Sequence, residues 1–296
     1  MQARPGLPAF DYVRPATREE VVRQLMLNGL QARLLMGGTD LLVRMRDGVI
    51  APTVLLDVKN VPGIRDLTYD PQVGLTIGAA VTMNQVARHR YVRAHYPLLA
   101  EAASSVASYQ VRNRATLGGN LSNASPAADT APAALVFEGR IVLFGPDGER
   151  EVPVTEFFLG PGKSARRPEE FVTAVRFCIP PAGTKGKYLK LGRNRAGDLA
   201  VVGVAVLGFP STSVPSGYSF RIALASVSPV PLRAFAAERA LAEQKPGKRA
   251  FAGAARKAME AAVPIDDVRS SAAYRREMVR NLVLRGLDEV WVALGS

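Results

Sequence analysis

The chain has 296 residues, of which 48% are hydrophobic and 22% are charged, and a formal net charge of +12. This composition indicates one large or two ordinary globular domains, with no apolar run near the ~20 residues of a membrane span and no hydrophobic secretion signal in residues 1–6, so a cytoplasmic protein is expected. One cysteine and two histidines exclude an internal disulfide and are too few for an iron–sulfur cluster or a structural zinc site, so no metal is expected on this chain.

The first predicted element is an amphipathic helix near the N-terminus. Thr17 and Glu20 form a capping box that starts it, the apolar pattern continues through Leu27, and Gly29 ends it. A short buried strand is predicted next, at residues 33–36.

A glycine loop follows this strand. Residues 37–40 read Gly-Gly-Thr-Asp and precede a helical stretch through Arg46. Free N–H groups and the dipole at a helix start favour a pyrophosphate. The loop lacks the lysine of a Walker loop and the G-x-G-x-x-G spacing of a Rossmann loop, and taken alone it is equally compatible with a plain connecting loop.

The remaining pattern predicts an α+β fold in two parts. Gly145-Pro146-Asp147-Gly148 marks a hairpin turn, and the Pro-Pro-Ala-Gly run at 180–183 marks a boundary. An antiparallel sheet followed by helices is expected beyond that boundary. Further predicted elements are strands at 53–57, 74–80, 188–191, 200–209 and 218–228, and helices at 82–88, at 98–106, from Leu232, from Gly247 and from Ser270.

Three residue types that could carry chemistry also have plain structural interpretations. Cys178 lies within the apolar strand-like run at residues 171–179, which favours a buried, inert thiol. His89 and His95 lie in no catalytic motif and are expected on the surface beside a helix end. The basic residues are scattered without a nucleic-acid-binding motif, so a solvated surface is favoured, with an acidic partner subunit or anionic electron acceptor as the alternative.

The most informative stretch covers residues 111–129, with the sequence VRNRATLGGNLSNASPAAD. Adjacent glycines allow a large planar or phosphorylated ligand to approach the main chain, and the Thr, Asn and Ser side chains supply hydrogen-bond donors. Asp129 could accept a hydrogen bond from a ribose hydroxyl. A bare Gly-Gly pair is more often a turn-rich loop, but the full string is more specific.

As a whole, this stretch resembles the signature R-x-x-G-T-[IL]-G-G-N-[IL]-x-x-A-S-P-x-x-D of the FAD-binding subunits of molybdenum hydroxylases, the xanthine dehydrogenase and carbon monoxide dehydrogenase class. Residues 10–15, 35–42 and 267–276 resemble the opening, the first flavin loop and the closing helix of that family. The resemblance implies a two-subdomain FAD-binding domain of the vanillyl-alcohol-oxidase (PCMH) type over residues 1–181, split near 57–63. It implies a carbon monoxide dehydrogenase flavoprotein-like C-terminal domain over residues 182–296.

The resemblance also implies site residues. It places the two glycine loops around the FAD pyrophosphate, Asp129 on the ribose, and Lys190 near the flavin pyrimidine edge, where a cation would tune the flavin. Val106 stands where the animal enzymes have an aromatic residue, and Lys190 on its own fits a plain exposed strand position equally well. The residues carried over are Leu35, Met36, Gly37, Gly38, Thr39, Asp40, Leu41, Val106, Thr116, Leu117, Gly118, Gly119, Asn120, Ser122, Asp129, Val172 and Lys190.

The implied function is electron transfer by a non-covalently bound FAD. Electrons would arrive from a small subunit with 2Fe-2S clusters, which receives them from a large molybdopterin subunit, and would leave to NAD, oxygen or a quinone. Two alternatives stay open from the residues alone. One is a stand-alone FAD oxidase, although no catalytic motif or covalent flavin attachment is recognisable. The other is a flavin-free protein that uses its basic surface to bind nucleic acid.

Overall fold

The structure, a computed structural model, describes residues 6–194 and 197–295. The N-terminal residues 1–5 and the pair Arg195 and Ala196, which belong to segments used in the sequence analysis, lie outside the described residues. Within the described chain, no helix is both long and apolar enough to span a bilayer. The predicted α+β fold is confirmed, with separate sheets and helices arranged around two hydrophobic cores.

The first sheet contains three parallel strands in the order β1-β3-β2. Parallel strands need crossover connections, and the predicted first helix runs from β1 to β2, the two edge strands of this sheet. Its N-cap is Thr17, as predicted, whereas Glu20 accepts from the N–H of Ala16 at 2.8 Å rather than from the cap residue itself. The elements are β1 Asp11–Val13, α1 Arg18–Asn28, β2 Ala32–Leu35, α2 Leu41–Arg46 and β3 Val54–Asp57.

The second sheet has five antiparallel strands in the order β4-β5-β10-β6-β7. The chain enters it between Asp57 and Leu67, and the predicted turn at Pro146 and Asp147 joins β6 to β7. A small two-stranded sheet, β8 with β9, lies beside it. The strands are β4 Leu67–Asp70, β5 Gly74–Gly78, β6 Arg140–Gly145, β7 Gly148–Pro153, β8 Phe158–Gly160, β9 Lys163–Ser164 and β10 Phe171–Phe177.

Most helices of the N-terminal part lie between β5 and β6. The predicted helices at 82–88 and 98–106 are present with ends within one residue. Two short helices within and after the 111–129 stretch were not predicted, because small and turn-forming residues dominate that sequence. The helices are α3 Met83–Arg88, α4 Arg90–His95, α5 Pro97–Ser105, α6 Tyr109–Arg112, α7 Leu117–Ser122, α8 Thr130–Val136 and, after β7, α9 Val154–Phe157.

The C-terminal part contains the expected antiparallel sheet, in the order β11-β12-β13-β14, followed by three helices. The prediction of a helix from Leu232 is wrong: Leu232 pairs with Leu224 as an edge strand, and the helix begins at Phe235. The elements are β11 Lys185–Leu191, β12 Val202–Pro210, β13 Tyr218–Ala225, β14 Leu232–Arg233, α10 Phe235–Ala242, α11 Lys248–Ala261 and α12 Ala272–Leu294.

The C-terminal sheet joins both hydrophobic cores. Tyr188, Leu207 and Ala223 pack into the core of the N-terminal part, whereas Val206 and Ile222 pack beneath α10 to α12. Alternate residues of a strand face opposite sides of a sheet, so one sheet covers both layers. This packing holds β11, which carries Lys190, against the N-terminal part.

The isolated cysteine and histidines lie at element ends. The prediction of a buried Cys178 is wrong: β10 ends at Phe177, and the thiol is exposed in the segment that leaves the sheet. His95 is exposed at the last residue of α4, as expected. His89 lies between α3 and α4, where partial burial and the positive charge of Arg90 lower its pKa.

Candidate functional site

The two glycine loops meet at one cavity of about 570 Å³. Volumes of this size are typical of pockets for cofactors and other small molecules. Of the predicted site residues, Leu35, Leu117, Gly118 and Lys190 do not line it. Those that do line it are Met36, Gly37, Gly38, Thr39, Asp40, Leu41, Val106, Thr116, Gly119, Asn120, Ser122, Asp129 and Val172.

Direct contacts tie the first loop to the second. Gly37 lies against the main chain of the second loop, because a Cβ added to it would meet the carbonyl oxygen of Arg114 at 2.3 Å. Asn123 Nδ2 donates to Asp40 Oδ1 at 3.2 Å. The loops therefore form one wall, although about 80 residues separate them in the chain.

The two loops differ in which backbone N–H groups remain free for a ligand. In the second loop, the N–H groups of Leu117, Gly118 and Gly119 donate to Val81 O, Ala79 O and Thr116 Oγ1 respectively. In the first loop, the N–H groups of residues 38–40 donate to no group within the described chain. Unpaired backbone donors beside a cavity are positions where a ligand is expected to accept hydrogen bonds.

The adjacent glycines of the second loop have different roles. A Cβ on Gly118 would meet the backbone of Ala79 at 2.7 Å, so this glycine permits close packing within the protein core. A Cβ on Gly119 would meet only the hydroxyl of Thr116, at 2.8 Å, and Gly119 lines the cavity. Of this pair, Gly119 is the one that leaves space for a ligand.

A buried polar cluster centred on Asp129 borders the cavity, which Val106 and Val172 also line. Asp129, 5% exposed, accepts from Tyr188 Oη at 2.9 Å and from Lys190 Nζ at 2.7 Å. Burial raises the pKa of Asp129, and the opposing effect of Lys190 is smaller. The pKa of Tyr188 is raised well above its ordinary value by burial and by the adjacent carboxylate. The predicted ribose ligand and the predicted flavin-tuning lysine are thus direct partners.

The remaining lone pairs of Asp129 keep a ribose contact feasible, since an ionised carboxylate can accept about four hydrogen bonds. That role stays a prediction. Lys190 Nζ also donates to the carbonyl of Ser105 at 2.9 Å and faces a separate open groove rather than the cavity. Lys190 therefore contacts the wall of the cavity through Asp129.

An arginine side chain holds the turn that positions Val106. Arg112 Nη1 donates to the carbonyls of Val106 and Ala107, both at 2.9 Å. Ala107 has a positive φ of 41°, so the chain reverses sharply here. This turn brings the apolar Val106 side chain to the cavity.

Sequence reasoning missed the positive charge that lines the cavity. Arg33 and Arg44, which flank the first loop in the chain, line the cavity together with Arg166. Burial and the nearby positive charge of Arg33 lower the pKa of Arg166. The only indication in the sequence was the Arg166 and Arg167 pair, which was assigned to a solvated basic surface.

The C-terminal part also contributes to the cavity through Asp198 and Leu199. Both follow β11 and lie in the segment that returns to the sheet. Asp198 Oδ2 accepts from the N–H of Asn194 at 3.0 Å, which closes this loop locally. The cavity is therefore lined by both parts of the chain.

The residues present fit FAD. Free N–H groups and three arginines in the lining suit a pyrophosphate, and the valines suit a flat apolar ring. The side chains of Asn120, Ser122 and Asn123, which also line the cavity, suit ribityl and ribose hydroxyls. Within the described chain, no group of three or more His, Cys, Asp or Glu residues could hold a metal ion.

Comparisons with known proteins agree with this description. Residues 8–181 match the family described as the FAD binding domain in molybdopterin dehydrogenase. Residues 187–290 match the carbon monoxide dehydrogenase flavoprotein C-terminal domain. Together these two matches cover both parts of the cavity.

Similar proteins align with nearly the whole chain. The carbon monoxide dehydrogenase medium chain of Hydrogenophaga pseudoflava is 34% identical, over 96% of this chain and 98% of that protein. The xanthine dehydrogenase FAD-binding subunit of Escherichia coli is 28% identical, over 96% of this chain and 97% of that subunit. The structure of carbon monoxide dehydrogenase from Hydrogenophaga pseudoflava superposes with a TM-score of 0.92 and 36% identity, over 97% of this chain and 99% of that chain.

Proposed function

The chain belongs to the family of FAD-binding subunits of molybdenum hydroxylases, and from this premise we propose that it transfers electrons between a 2Fe-2S partner subunit and an external acceptor. The chain is an oxidoreductase component with FAD as its cofactor. Electrons would enter the FAD one at a time from the partner and would leave to NAD, oxygen or a quinone. A large molybdopterin subunit would oxidise the organic substrate.

One structural observation carries the placement of FAD. The first loop presents three free N–H groups, at residues 38–40, beside a cavity whose rim also carries Arg33 and Arg166. Backbone donors and guanidinium groups together are typical of pyrophosphate binding. The second loop, with its own N–H groups already paired, would contribute side chains such as Asn120 and Ser122.

The chain's own residues would orient the cofactor and protect it. Val106 and Val172 would pack against the ring system, and Leu199 from the C-terminal part would restrict access of water to it. FAD, when bound, supplies the ability to exchange electrons singly or in pairs. The residues of this chain then need only to hold it in place and adjust its charge environment.

The partner subunits are inferred from two observations. The similar proteins are named as a medium chain and an FAD-binding subunit, which are parts of larger assemblies. The chain itself has one cysteine, too few to ligate an iron–sulfur cluster. The clusters and the molybdopterin would therefore belong to other chains.

The first test is cofactor binding. The purified chain should be yellow, and acid precipitation should release all of the colour as FAD, since no covalent link is proposed. Colour that stays with the precipitated polypeptide would contradict the non-covalent mode. A colourless protein that takes up no FAD on titration would contradict the site itself.

The second test addresses the role. The isolated chain with FAD should show no hydroxylase activity toward purines, aldehydes or aromatic acids, and anaerobic reduction of its flavin by an organic substrate should require the 2Fe-2S and molybdenum subunits. Bleaching of the flavin by substrate in the isolated chain would identify a self-sufficient oxidase. Stopped-flow mixing of reduced protein with NAD, oxygen and a soluble quinone would identify the acceptor.

A further inference from the structure

Asp129 and Lys190 connect the cavity to a separate groove on the protein surface. Asp129 lines the cavity, whereas Lys190, Tyr188 and Ser105 line an open groove of about 700 Å³ on the other side of the same wall. The Oδ2 to Nζ distance is 2.7 Å. A protonatable group on the cavity side is thus in direct hydrogen-bond contact with a protonatable group on the solvent side.

The two groups are placed so that their proton distribution responds to charge in the cavity. Asp129 is almost fully buried, and burial has already raised the pKa of its carboxyl despite the contact with Lys190. A negative charge that arrives nearby raises the proton affinity of a carboxylate further. The rise in proton affinity is large at a buried carboxylate such as Asp129, because little water screens the interaction between the two charges.

We propose that Asp129 and Lys190 act as a redox-linked proton acceptor, which takes up one proton from the groove when two electrons enter FAD in the cavity. This inference rests on the proposed FAD site. The electrons come from a one-electron donor, either an iron–sulfur partner or a chemical reductant. An N–H bond of the Lys190 ammonium breaks as an O–H bond forms on Asp129, and water in the groove returns a proton to the Lys190 amine.

The other charged groups nearby form no ion pair with Asp129 or Lys190 in the described chain. On α5, Glu101 accepts from Lys187 Nζ and from the N–H of Tyr188 rather than from Lys190. On α4, Arg93 lines the groove, and after α5, Arg112 is held by backbone carbonyls and Asn84. On β11, Tyr188 faces Asp129 but has a pKa too high to release its proton. Among the residues that the structure describes, Lys190 is the charged donor in contact with Asp129.

The test is the pH dependence of the FAD midpoint potential, measured by spectroelectrochemical titration of the full chain. For a two-electron couple, each proton taken up contributes about 30 mV per pH unit. The wild-type slope should exceed that of free FAD by this amount near neutral pH. Asp129→Asn at saturating FAD should lose the excess. Lys190→Met should lose it as well, because it removes the proton donor that contacts Asp129 from the groove side.

Lys187→Met is the matched control, since Lys187 is on the same strand and in the same groove but contacts Glu101. It should keep the wild-type slope. A FAD-loaded Asp129→Asn protein with the wild-type slope would overturn the inference. If neither Asp129→Asn nor Lys190→Met retains FAD, the pH dependence of the wild-type midpoint potential decides the question. A wild-type slope equal to that of free FAD would refute the inference. A wild-type chain that binds no FAD would instead refute the proposed function on which the inference depends.

Discussion

Gly37 lies so close to Arg114 that the two loops of the cavity have main-chain contact, with 2.3 Å between the Arg114 carbonyl oxygen and the position of a Cβ on Gly37. Real Cβ atoms do not approach an oxygen this closely, so any side chain at residue 37 must push the loops apart. The second loop is anchored from behind, because its N–H groups at Leu117 and Gly118 donate to Val81 and Ala79. The first loop is therefore the one that would move.

Gly37→Ala should weaken FAD binding by displacing the free N–H groups of residues 38–40. We expect a loss of about tenfold or more, on the order of 1.4 kcal/mol, the scale of one hydrogen bond to a charged group. Fluorescence titration with FAD measures it. Gly253→Ala, in α11 with open space around it, is the control and should leave FAD affinity unchanged. Wild-type affinity in Gly37→Ala would show that the loop contact does not position the cofactor.

Gly118 and Gly119 should give opposite phenotypes. Gly118→Ala would place a Cβ against the backbone of Ala79 in the core and should lower the unfolding temperature with or without FAD. Gly119→Val would extend into the cavity and should reduce FAD affinity more than it reduces apoprotein stability. Thermal melts and FAD titrations of both variants separate the two effects. Equal loss of apoprotein stability in both would contradict the assignment of Gly119 to the ligand side.

The sequence predicted most of the elements around the site because local signals are strong there. Thr17 caps α1, Gly145 and Gly148 flank a two-residue hairpin turn, and apolar strand patterns were located to within a few residues. The resemblance implied that residues 35–41 and 116–120 surround one ligand, and the two loops share one cavity, although Leu35, Leu117 and Gly118 do not line it. Local pattern could not show that α7 and α8 lie within and after the 111–129 stretch, because their helicity depends on packing rather than on propensity.

Contacts between distant segments explain what the sequence did not predict. Nothing in the pattern around Asp129 indicates that Lys190 and Tyr188 approach it from a strand about 60 residues away. The exposure of Cys178 depends on β10 ending one residue earlier. Arg166 seemed to belong to a surface charge pair, but its Nη1 is held by the carbonyl of Glu170 at 2.7 Å beside the cavity. Each of these facts depends on tertiary structure.

The cavity arginines should make FAD binding depend on salt. Arg44 is exposed on α2 and lines the cavity. Arg44→Gln should weaken FAD binding about two- to fivefold at low ionic strength, and the difference should shrink in high salt, as for other exposed charges. Riboflavin, which lacks phosphate, should bind both proteins equally. Arg46→Gln, on the same helix but outside the cavity, is the control. An equal loss for riboflavin would exclude a phosphate contact.

Asp129→Ala should weaken FAD binding by about 1.5–3 kcal/mol if the carboxylate accepts from the cofactor, the scale of a hydrogen bond to a charged group. The variant also leaves Lys190 without its carboxylate partner, so its apoprotein melting temperature must be measured in parallel. Tyr188→Phe is the comparison, because it removes a hydrogen bond of Asp129 without removing the carboxylate. Unchanged FAD affinity in Asp129→Ala would remove Asp129 from the cofactor site.

Low pH should lower the folding stability of the C-terminal part through protonation of Asp267. This carboxylate accepts from Arg269 Nη2 at 2.6 Å and from Arg275 Nη2 at 2.5 Å, and Arg275 is 1% exposed. The arginines hold the pKa of Asp267 well below its ordinary value near 3.8. A lowered folded-state pKa contributes stability at pH values above the unfolded pKa, and that contribution is lost as the pH falls toward the folded pKa.

Asp267→Asn should therefore lower the free energy of unfolding by about 1.5–3 kcal/mol at neutral pH, since it leaves the buried Arg275 with an uncharged partner. The deficit relative to wild type should shrink as the pH falls below the ordinary Asp range, because wild type then loses the same charge. Urea unfolding at a series of pH values measures both effects. Asp66→Asn is the control, because Asp66 is exposed and its carboxylate makes no hydrogen bond or ion pair within the described chain. A deficit that does not vary with pH would show that Asp267 acts through packing rather than through its charge.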